Sequence, residues 1–387
     1  MKKLLSIFLA IVTVLTCSVF AFAADGASGA LRFGTDGKFK IMMINDTQDV
    51  GKNAKSETAK FIGMALDQEQ PDLVVFVGDQ LSDIYPKASK EDYKLAIDRI
   101  IKPLQERSIP FLVTLGNHDH DRANVMSEDE MFEVYASYDN CLAVRGSTDP
   151  FTYNVPIYSS KDGSVAMNIY MMDTNNKKDG GYEGIRANQL DWYNTTSAAL
   201  KAANGGAAVP SMLFQHVPVK EIYSFLKECD WKDDGAIYSR RDSKWYVLNE
   251  EVAQGDFGEA PCSENFDVQT GEYQAWVKNG DIIGAFFAHD HNNNFVGTSA
   301  DGIKMGYNGG TGFRAYGAEC GRTIRVFNFD ENDIANYETH LLYYQNVTGE
   351  ESSNFFFDTF SPAILNPVMK VVYFLFLIQS IIRQSIK

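Results

Sequence analysis

The chain has 387 residues, of which 45% are hydrophobic and 13% are aromatic, a composition that excludes a disordered protein and predicts a packed globular one. It carries 51 acidic against 35 basic side chains, a formal net charge of −16. Because affinity for nucleic-acid backbones comes from Lys and Arg, we expect no binding to nucleic-acid backbones. Small phosphorylated substrates stay compatible with this charge, because bound cations can invert the local potential.

The first 23 residues predict a secretory signal peptide. Two lysines precede an apolar stretch from 4 to 22, and Ala21-Phe22-Ala23 has the small-x-small pattern of a cleavage site. We therefore expect an exported protein, in the periplasm, on the cell surface or secreted. An uncleaved membrane anchor is the alternative. The Gly- and Ala-rich residues 24–37 are expected to form a flexible N-terminal segment.

Residues 38–345 predict one α/β domain, in which short apolar runs alternate with amphipathic helices. Helices are expected at 57–68, 90–106 and 188–203, where apolar side chains recur at helical spacing. Strands are expected at 165–172 and at 324–329, and at five further apolar runs that end in polar residues.

A long insertion from 217 to about 267 interrupts this alternation. It is rich in charged residues, glycine and aromatics. A loop of this length inside a compact domain is usually a lid or a binding loop, so we expect it to influence the choice of substrate. A surface loop without such a role is the alternative.

The C-terminal segment, residues 346–387, ends in an apolar stretch at 371–382. This stretch is shorter than the roughly 20 residues that a membrane-spanning helix needs. A packed terminal helix, a C-terminal membrane anchor and a helix lying in the membrane interface all fit the pattern. Membrane association through this apolar helix is therefore one of the expectations to be tested.

Four cysteines follow the predicted signal peptide: Cys141, Cys229, Cys262 and Cys320. An even number in an exported chain permits two disulfides. Cys229 and Cys262 lie in the same irregular region and form the first candidate pair, while four buried thiols are the alternative. The spacing contains no CxxC pattern, which argues against a zinc site made of cysteines.

Side chains suited to metal or phosphate chemistry follow five of the apolar runs. The carboxyl ends of strands in open α/β sheets are where ligands bind, so these residues predict one metal site built from distant parts of the sequence. Residues at i and i+2 of a strand point the same way, so both histidines of a His-x-His pattern can reach one site. The residues concerned are Asp46, Asp79, Asn117, His118, His216, His289 and His291.

The order of these residues resembles the calcineurin-like metallophosphoesterase superfamily. The chain has Asp46-x-Gln48, Gly78-Asp79, Gly116-Asn117-His118-Asp119, His216 and His289-x-His291. The usual family pattern is Asp-x-His, Gly-Asp, Gly-Asn-His-Asp or Glu, His, and Gly-His-x-His. The similarity runs from about 38 to about 330, and segments 78–81 and 307–317 look like the branch related to purple acid phosphatases. The resemblance implies a four-layer αββα sandwich of two mixed sheets, with the metal site at the carboxyl ends of the strands.

The resemblance also implies two divalent metal ions, drawn from Mn, Fe, Zn, Mg or Ca. One ion would be held by Asp46, Asp79 and His291 with Gln48 nearby, and the other by Asp79, Asn117, His216 and His289. A hydroxide that bridges the metals would attack phosphorus, and His118 would assist the leaving group. Arg314, in a Gly-rich segment, and His120, directly after the Gly-Asn-His-Asp block, are weaker candidates for substrate binding.

The function implied is an exported metal-dependent phosphoester hydrolase, with phosphomonoesters favoured over phosphodiesters or nucleotides as the small phosphorylated substrate. Three departures qualify this. Gln48 stands where the family usually has histidine, and an amide oxygen is a weaker ligand than imidazole, so a non-catalytic metal- or ligand-binding protein is the alternative. Ser82 stands where purple members have their metal-binding tyrosine, so no purple centre is expected. Ala288 replaces a glycine, with little expected consequence.

Overall fold

The structure is a computed structural model that describes residues 30–49, 51, 56–82, 88–121, 123–178, 181–263, 270–317 and 322–350. The predicted signal peptide, Cys320 and the apolar C-terminal stretch lie outside the described residues.

The expectation of membrane association through the C-terminal apolar helix is corrected. Within the described part of the chain, no helix is both long enough and apolar enough to cross a membrane. The described helix Ala187–Ala203 has 17 residues and carries polar side chains along its length, whereas a span needs roughly 20 predominantly apolar residues. The stretch at 371–382, on which the expectation rested, lies outside the described residues, and the association is withdrawn.

Strands and helices alternate along the described chain, as the apolar periodicity predicts. In chain order the elements are β1 (Lys38–Ile44), α1 (Ser56–Glu69), β2 (Leu73–Val77), α2 (Lys90–Gln105), β3 (Phe111–Thr114), α3 (Asn117–His120), α4 (Glu128–Ala136), β4 (Tyr153–Tyr158), β5 (Val165–Met172), β6 (Lys177–Lys178), β7 (Gly181–Tyr182), α5 (Ala187–Ala203), β8 (Ser211–Gln215), a 3-10 helix (Lys220–Phe225), β9 (Leu226–Cys229), β10 (Ile237–Ser239), β11 (Lys244–Leu248), β12 (Ala253–Gln254), α6 (Glu272–Asn279), β13 (Ile282–Phe287), β14 (Val296–Thr298), β15 (Lys304–Tyr307), β16 (Thr323–Asp330), a second 3-10 helix (Ile334–Asn336), β17 (Glu338–Tyr343) and α7 (Tyr344–Thr348).

Two mixed sheets form the centre of the domain. The first has the order β17-β16-β1-β2-β3, with β1, β2 and β3 parallel and β16 antiparallel to β1. The second has the order β12-β14-β15-β13-β8-β5-β4, with β5, β8, β13 and β15 parallel. Because parallel strands end at the same edge, β1, β2 and β3 of one sheet and β8 and β13 of the other can deliver side chains to a common place.

Three apolar clusters show that the domain has four layers, which confirms the predicted fold class. In β1, Ile41 and Met43 face the second sheet, while Met42 and Ile44 face the helices α1 and α2. This alternation follows from the two-residue period of a strand. On the far side, Leu213 of β8 packs in a third cluster with side chains of α5 and α6. Burial of each such side chain contributes about 1.5–3 kcal/mol relative to exposure.

The insertion is not an irregular loop. Residues 226–248 form a small antiparallel sheet, β10-β11-β9, and β12 then adds an edge strand to the second large sheet by pairing with β14. No disulfide links Cys229 to Cys262, so the first candidate pair is wrong for these two described residues. The backbone hydrogen bonds of the small sheet, and not a cross-link, order this part of the chain.

Candidate metal centre

The side chains that follow the five strands come together in one buried cluster. Asp79 Oδ2 lies 3.2 Å from His216 Nε2, and His216 Nε2 lies 3.3 Å from His289 Nδ1. Asp46 Oδ1 lies 3.0 Å from His291 Nε2 and 4.0 Å from His216 Nε2. The ligand atoms of Asp79, His216 and His289 all lie within 4.8 Å of one another. The prediction of one site from distant sequence therefore agrees with this geometry.

Several residues of the cluster have a left-handed backbone conformation, which residues other than glycine rarely adopt. Asp46, Gln48, Asp79 and His289 have φ angles of 50°, 44°, 53° and 74°, in the left-handed region. A non-glycine residue held in this region costs about 1–3 kcal/mol and persists only where its surroundings impose it. The strand ends thus turn sharply, and these turns direct the side chains into the cluster.

Two glycines allow the strand ends to approach each other. Gly78 has φ +79°, and a Cβ built there would lie 2.5 Å from His216 Nδ1. A Cβ on Gly116 would lie 2.3 Å from Asp79 Oδ1. The two Gly positions of the motif are therefore required by the packing of the side chains beside them.

Neighbouring groups fix the orientation of the candidate ligands. Asp119 accepts backbone hydrogen bonds from Asp79 N, Gly116 N and Leu81 N at 2.8, 2.9 and 2.9 Å, which secures the turn that carries Asp79. His216 Nδ1 donates to the backbone carbonyl of Val77 at 3.0 Å. This bond keeps a proton on Nδ1, so Nε2 is the ring nitrogen of His216 that is placed to bind a metal.

The donor set fits divalent cations. Asn117 is fully buried, yet neither its Oδ1 nor its Nδ2 has a hydrogen-bond partner within the described residues. Leaving such a group unsatisfied costs about 1–3 kcal/mol, more for a charged one, so these atoms call for a ligand. Carboxylate, amide and imidazole donors together suit Mn, Fe and Zn, and the oxygen donors suit Mg and Ca.

The electrostatics of the cluster favour cation binding. Burial raises the pKa of Asp79, but the charges of His216 and His118 outweigh it and hold this carboxyl ionised. Burial and the positive charge of His216 lower the pKa of His289, which stays neutral as a ligand must be. Burial lowers the pKa of His216, but Asp79 and Asp46 outweigh it and raise the pKa to about 10. A cation at this position would therefore displace a proton from His216.

Gln48 lies inside the cluster. Its Nε2 donates to Asp79 Oδ2 at 3.2 Å and lies 3.4 Å from His291 Nε2. Rotation of the amide by 180° would present its oxygen at the same place. Gln48 therefore occupies a position from which it can supply a weak oxygen ligand, and its part in metal binding stays a prediction.

His118 stands at the edge of the cluster with its side chain 29% exposed. Its backbone N–H donates to Asp79 Oδ1 at 2.8 Å, and its ring Nδ1 lies 2.6 Å from Asp121 Oδ2. Burial lowers the pKa of His118, but the bond to Asp121 and the charge of Asp79 raise it to about 9. The imidazole is thus protonated at neutral pH in the cation-free protein and reachable from solvent, as a proton donor should be.

The two candidate substrate-binding residues have different surroundings. His120 is buried, with Nε2 at 3.0 Å from Asp173 Oδ1 and Nδ1 at 3.1 Å from Glu128 Oε1. Both ring nitrogens are thereby taken, which argues against the predicted role of His120 in substrate binding. Arg314 is partly exposed in the loop after β15, whose Gly312 N donates to Asp46 O at 3.1 Å. Its role in substrate binding stays a prediction.

Two residues of the site, Tyr182 and Glu259, carried no signal in the sequence, and a third, Tyr316, lay in the recognised segment 307–317 without any indication of its role. The ring of Tyr182, on β7, contacts the His289 ring edge-on, with centroids 4.3 Å apart. Tyr316 stacks on His291, and Glu259 of the insertion accepts a hydrogen bond from the Tyr316 hydroxyl. No spacing rule relates these residues to the histidines they accompany. Asp119, in contrast, belongs to the recognised Gly-Asn-His-Asp block.

Comparison with known proteins agrees with this geometry. The sequence profile of the calcineurin-like phosphoesterase family matches residues 39–293. The chain belongs to this family.

Among the similar proteins, two are named as inactive phosphatases and one as a phosphatase. "Probable inactive purple acid phosphatase 14" of Arabidopsis thaliana is 26% identical over 364 residues, which cover 84% of this chain and 83% of that protein. "Probable inactive purple acid phosphatase 29" of the same plant is 27% identical over 338 residues, which cover 78% of this chain and 79% of that protein. "Phosphatase DCR2" of Saccharomyces cerevisiae is 26% identical, over 51% of this chain and 37% of that protein. The predicted relation to purple acid phosphatases is thereby confirmed.

Proposed function

We propose that this phosphoesterase-family chain is an exported, metal-dependent hydrolase that acts preferentially on small phosphomonoesters. The observation that carries the proposal is the buried Asn117, whose amide has no hydrogen-bond partner within the described residues and whose chain neighbours Gly116 and His118 lie against Asp79. Buried amides normally have hydrogen-bond partners, and a bound cation would provide one for the oxygen of Asn117. Membership of the family supports phosphoester hydrolysis in general.

Two divalent cations would share the cluster. The first would be held by Asp46, Asp79 and His291 with Gln48 beside it, and the second by Asp79, Asn117, His216 and His289. When bound, such cations neutralise charge on a phosphoryl group and make water a better nucleophile near neutral pH. Asp79 would belong to both sets because a carboxylate has two oxygens, and its turn is secured by Asp119.

His118 would supply the proton that the leaving oxygen needs. Its ring is held by Asp121, carries a proton at neutral pH in the cation-free protein, and is partly exposed at the edge of the cluster. Protonation of the leaving group is worth most when the leaving alcohol is weakly acidic, as it is in alkyl and sugar phosphates. Phosphodiesters and nucleotides are the alternative substrates of the same site.

One observation favours a second candidate, a non-catalytic metal- or ligand-binding protein. Gln48 stands in place of a histidine and donates a hydrogen bond to Asp79 Oδ2, one of the oxygens needed for a cation. The inactive names of two relatives agree with such a reading. Against it stand His118 and Asp79, because the His118 N–H donates to Asp79 Oδ1 at 2.8 Å and the His118 ring is held 2.6 Å from Asp121 Oδ2, which suits a proton donor beside the cluster.

Hydrolysis assays on chelator-treated protein test the proposal. Mn, Zn, Fe, Mg and Ca are added back separately, with p-nitrophenyl phosphate and bis-p-nitrophenyl phosphate as substrates and Asp79→Asn as the control. We expect turnover that a metal restores, that the variant lacks, and that is faster on the monoester. Turnover that is faster on the diester would contradict the monoester preference. No turnover with any metal would support the non-catalytic candidate.

A further inference from the structure

Tyr316 holds the imidazole of His291 from two directions. Its backbone carbonyl accepts a hydrogen bond from His291 Nδ1 at 2.6 Å. Its ring is stacked on the His291 ring, with centroids 4.1 Å apart and planes 7° from parallel. The hydrogen bond fixes the tautomer, and the stacked ring fixes the plane in which Nε2 points towards Asp46. Nε2 of His291 lies 3.0 Å from Asp46 Oδ1.

The insertion holds the other end of Tyr316. The Tyr316 hydroxyl lies 3.3 and 3.1 Å from Glu259 Oε1 and Oε2, to which it donates. Glu259 Oε1 also accepts from the backbone N–H of Asn292, the residue after His291, at 2.8 Å. One carboxylate thereby ties the stacked tyrosine to the backbone beside the candidate ligand.

The segment that carries Glu259 is itself fastened to the loop after β13. Asn293 Oδ1 accepts from Gly258 N and Glu259 N at 3.0 and 3.2 Å, and Asn293 Nδ2 donates to Glu259 O at 2.9 Å. Gly258 lies so close that a Cβ there would be 2.6 Å from Asn292 O. The position of Glu259 is therefore determined by bonds to the backbone around the histidine pair.

The buried guanidinium of Arg322 completes the contacts around Tyr316. Arg322 Nη1 donates to the Tyr316 carbonyl at 2.9 Å, and Nη2 donates to Ala315 O at 2.7 Å. The carbonyl that accepts from His291 is thus held by a second donor. A guanidinium with fixed donor geometry limits the movement of this loop.

From these contacts we propose that Tyr316 and Glu259 are positioning residues that hold His291 in the plane required for cation binding, so that the insertion braces the metal centre. The inference rests on the proposed metal-binding function but assigns to the insertion a role distinct from covering the substrate. Partners of this kind, when removed from metal-bound histidines, typically change metal affinity 10- to 100-fold.

The structure offers matched controls for both residues. Tyr343 Oη donates to Asp256 Oδ2 at 3.1 Å, and this pair also ties the insertion to the central sheets. Among the described residues this pair makes no recorded bond to His291 or Tyr316, so Tyr343→Phe and Asp256→Ala remove a hydroxyl and a carboxylate that link the insertion to the sheets without removing a contact to the histidine. Tyr316→Phe keeps the stacked ring, whereas Tyr316→Leu removes it.

Calorimetric titration of chelator-treated full-length protein with Zn²⁺, together with the visible spectrum of the Co²⁺ form, tests the inference. We expect Tyr316→Leu and Glu259→Ala to lower the affinity for one of the two cations by about 10- to 100-fold and to change the Co²⁺ spectrum. Tyr316→Phe should bind cations more nearly as the wild type does. Tyr343→Phe and Asp256→Ala should bind as the wild type does. Wild-type affinity in Tyr316→Leu, or equal losses in both control variants, would overturn the inference. Failure of the wild type to bind any cation would instead refute the metal centre itself.

Discussion

The close approach at Gly116 allows a sharp test of how the centre is built. Gly116 has a φ of −115°, which alanine adopts without strain, so Gly116→Ala changes packing and not backbone preference. The added Cβ would lie 2.3 Å from Asp79 Oδ1, 2.5 Å from Asp79 N and 2.8 Å from His216 Cε1. The carboxylate would have to withdraw by at least 0.7 Å to reach the 3.0 Å below which Cβ contacts essentially do not occur.

The expected size of the effect follows from this displacement. Overpacking of a buried site costs typically about 1–3 kcal/mol, so we expect Gly116→Ala to lower the free energy of unfolding by that amount. A catalytic group displaced by about 1 Å can lose on the order of 10²-fold in rate, and we expect a comparable loss of turnover. Metal affinity should fall with it, because Asp79 is the carboxylate proposed to contact both cations.

A second glycine provides the control. Gly63 lies inside α1, and a Cβ there would meet its nearest neighbour, Arg107 Nη2, at an ordinary 3.6 Å. Gly63→Ala should therefore stabilise the protein by about 0.5–1 kcal/mol through helix propensity and leave metal binding unchanged. Urea unfolding and metal titration of both variants decide the matter. Metal binding and turnover at wild-type level in Gly116→Ala would refute the assigned geometry.

Three further predictions concern individual residues. His118→Asn should keep metal binding but slow hydrolysis on the order of 10²-fold, most for substrates with poor leaving groups; an equal loss across a series of substituted phenyl phosphates would contradict its acid role. Burial lowers the pKa of His120, but the carboxylates of Asp173 and Glu128 outweigh burial and raise this pKa from 6.5 to about 11. The stability that the charged His120–Asp173 pair contributes is therefore fully present below pH 6.5 and is lost as the pH rises through 11. Asp173→Asn should therefore destabilise by about 3 kcal/mol in urea unfolding at pH 6 and by less at pH 9.5, and an equal penalty at both values would argue against a charged pair. Gln48→His should tighten Zn²⁺ binding, since imidazole is the stronger ligand, and unchanged affinity would place Gln48 outside the ligand set.

The sequence predicted those parts of the fold whose causes are local. Strands buried on both faces carry continuous apolar runs, and the runs before Asp46, Asp79 and Asn117 are β1, β2 and β3 of the first sheet. Helix α2 begins as expected, because Ser89 accepts a hydrogen bond from Asp92 N at the start of an amphipathic stretch. The cluster of candidate ligands could be anticipated because the parallel strands of each sheet end at the same edge, which brings their terminal residues close together.

Features that depend on contacts between distant segments could not be predicted in this way. The insertion contains few continuous apolar runs, so its small sheet gave no strand signal, and its nearby cysteines suggested a disulfide that does not form between Cys229 and Cys262. His120 follows the motif directly, but the short helix α3 directs its ring to Asp173 and Glu128. The partners of His291 arrive from residues that no spacing rule connects with it.

We propose that five strand ends hold two divalent cations around Asp79. The most direct test is to reload chelator-treated protein with Mn²⁺ or Zn²⁺, dialyse it, and measure metal equivalents per chain by mass spectrometry, for the wild type and for Asp79→Asn. We expect close to two metal equivalents per chain for the wild type and none for Asp79→Asn, because the substitution removes the carboxylate charge that both cations would share. Equal metal content in the two proteins would contradict it.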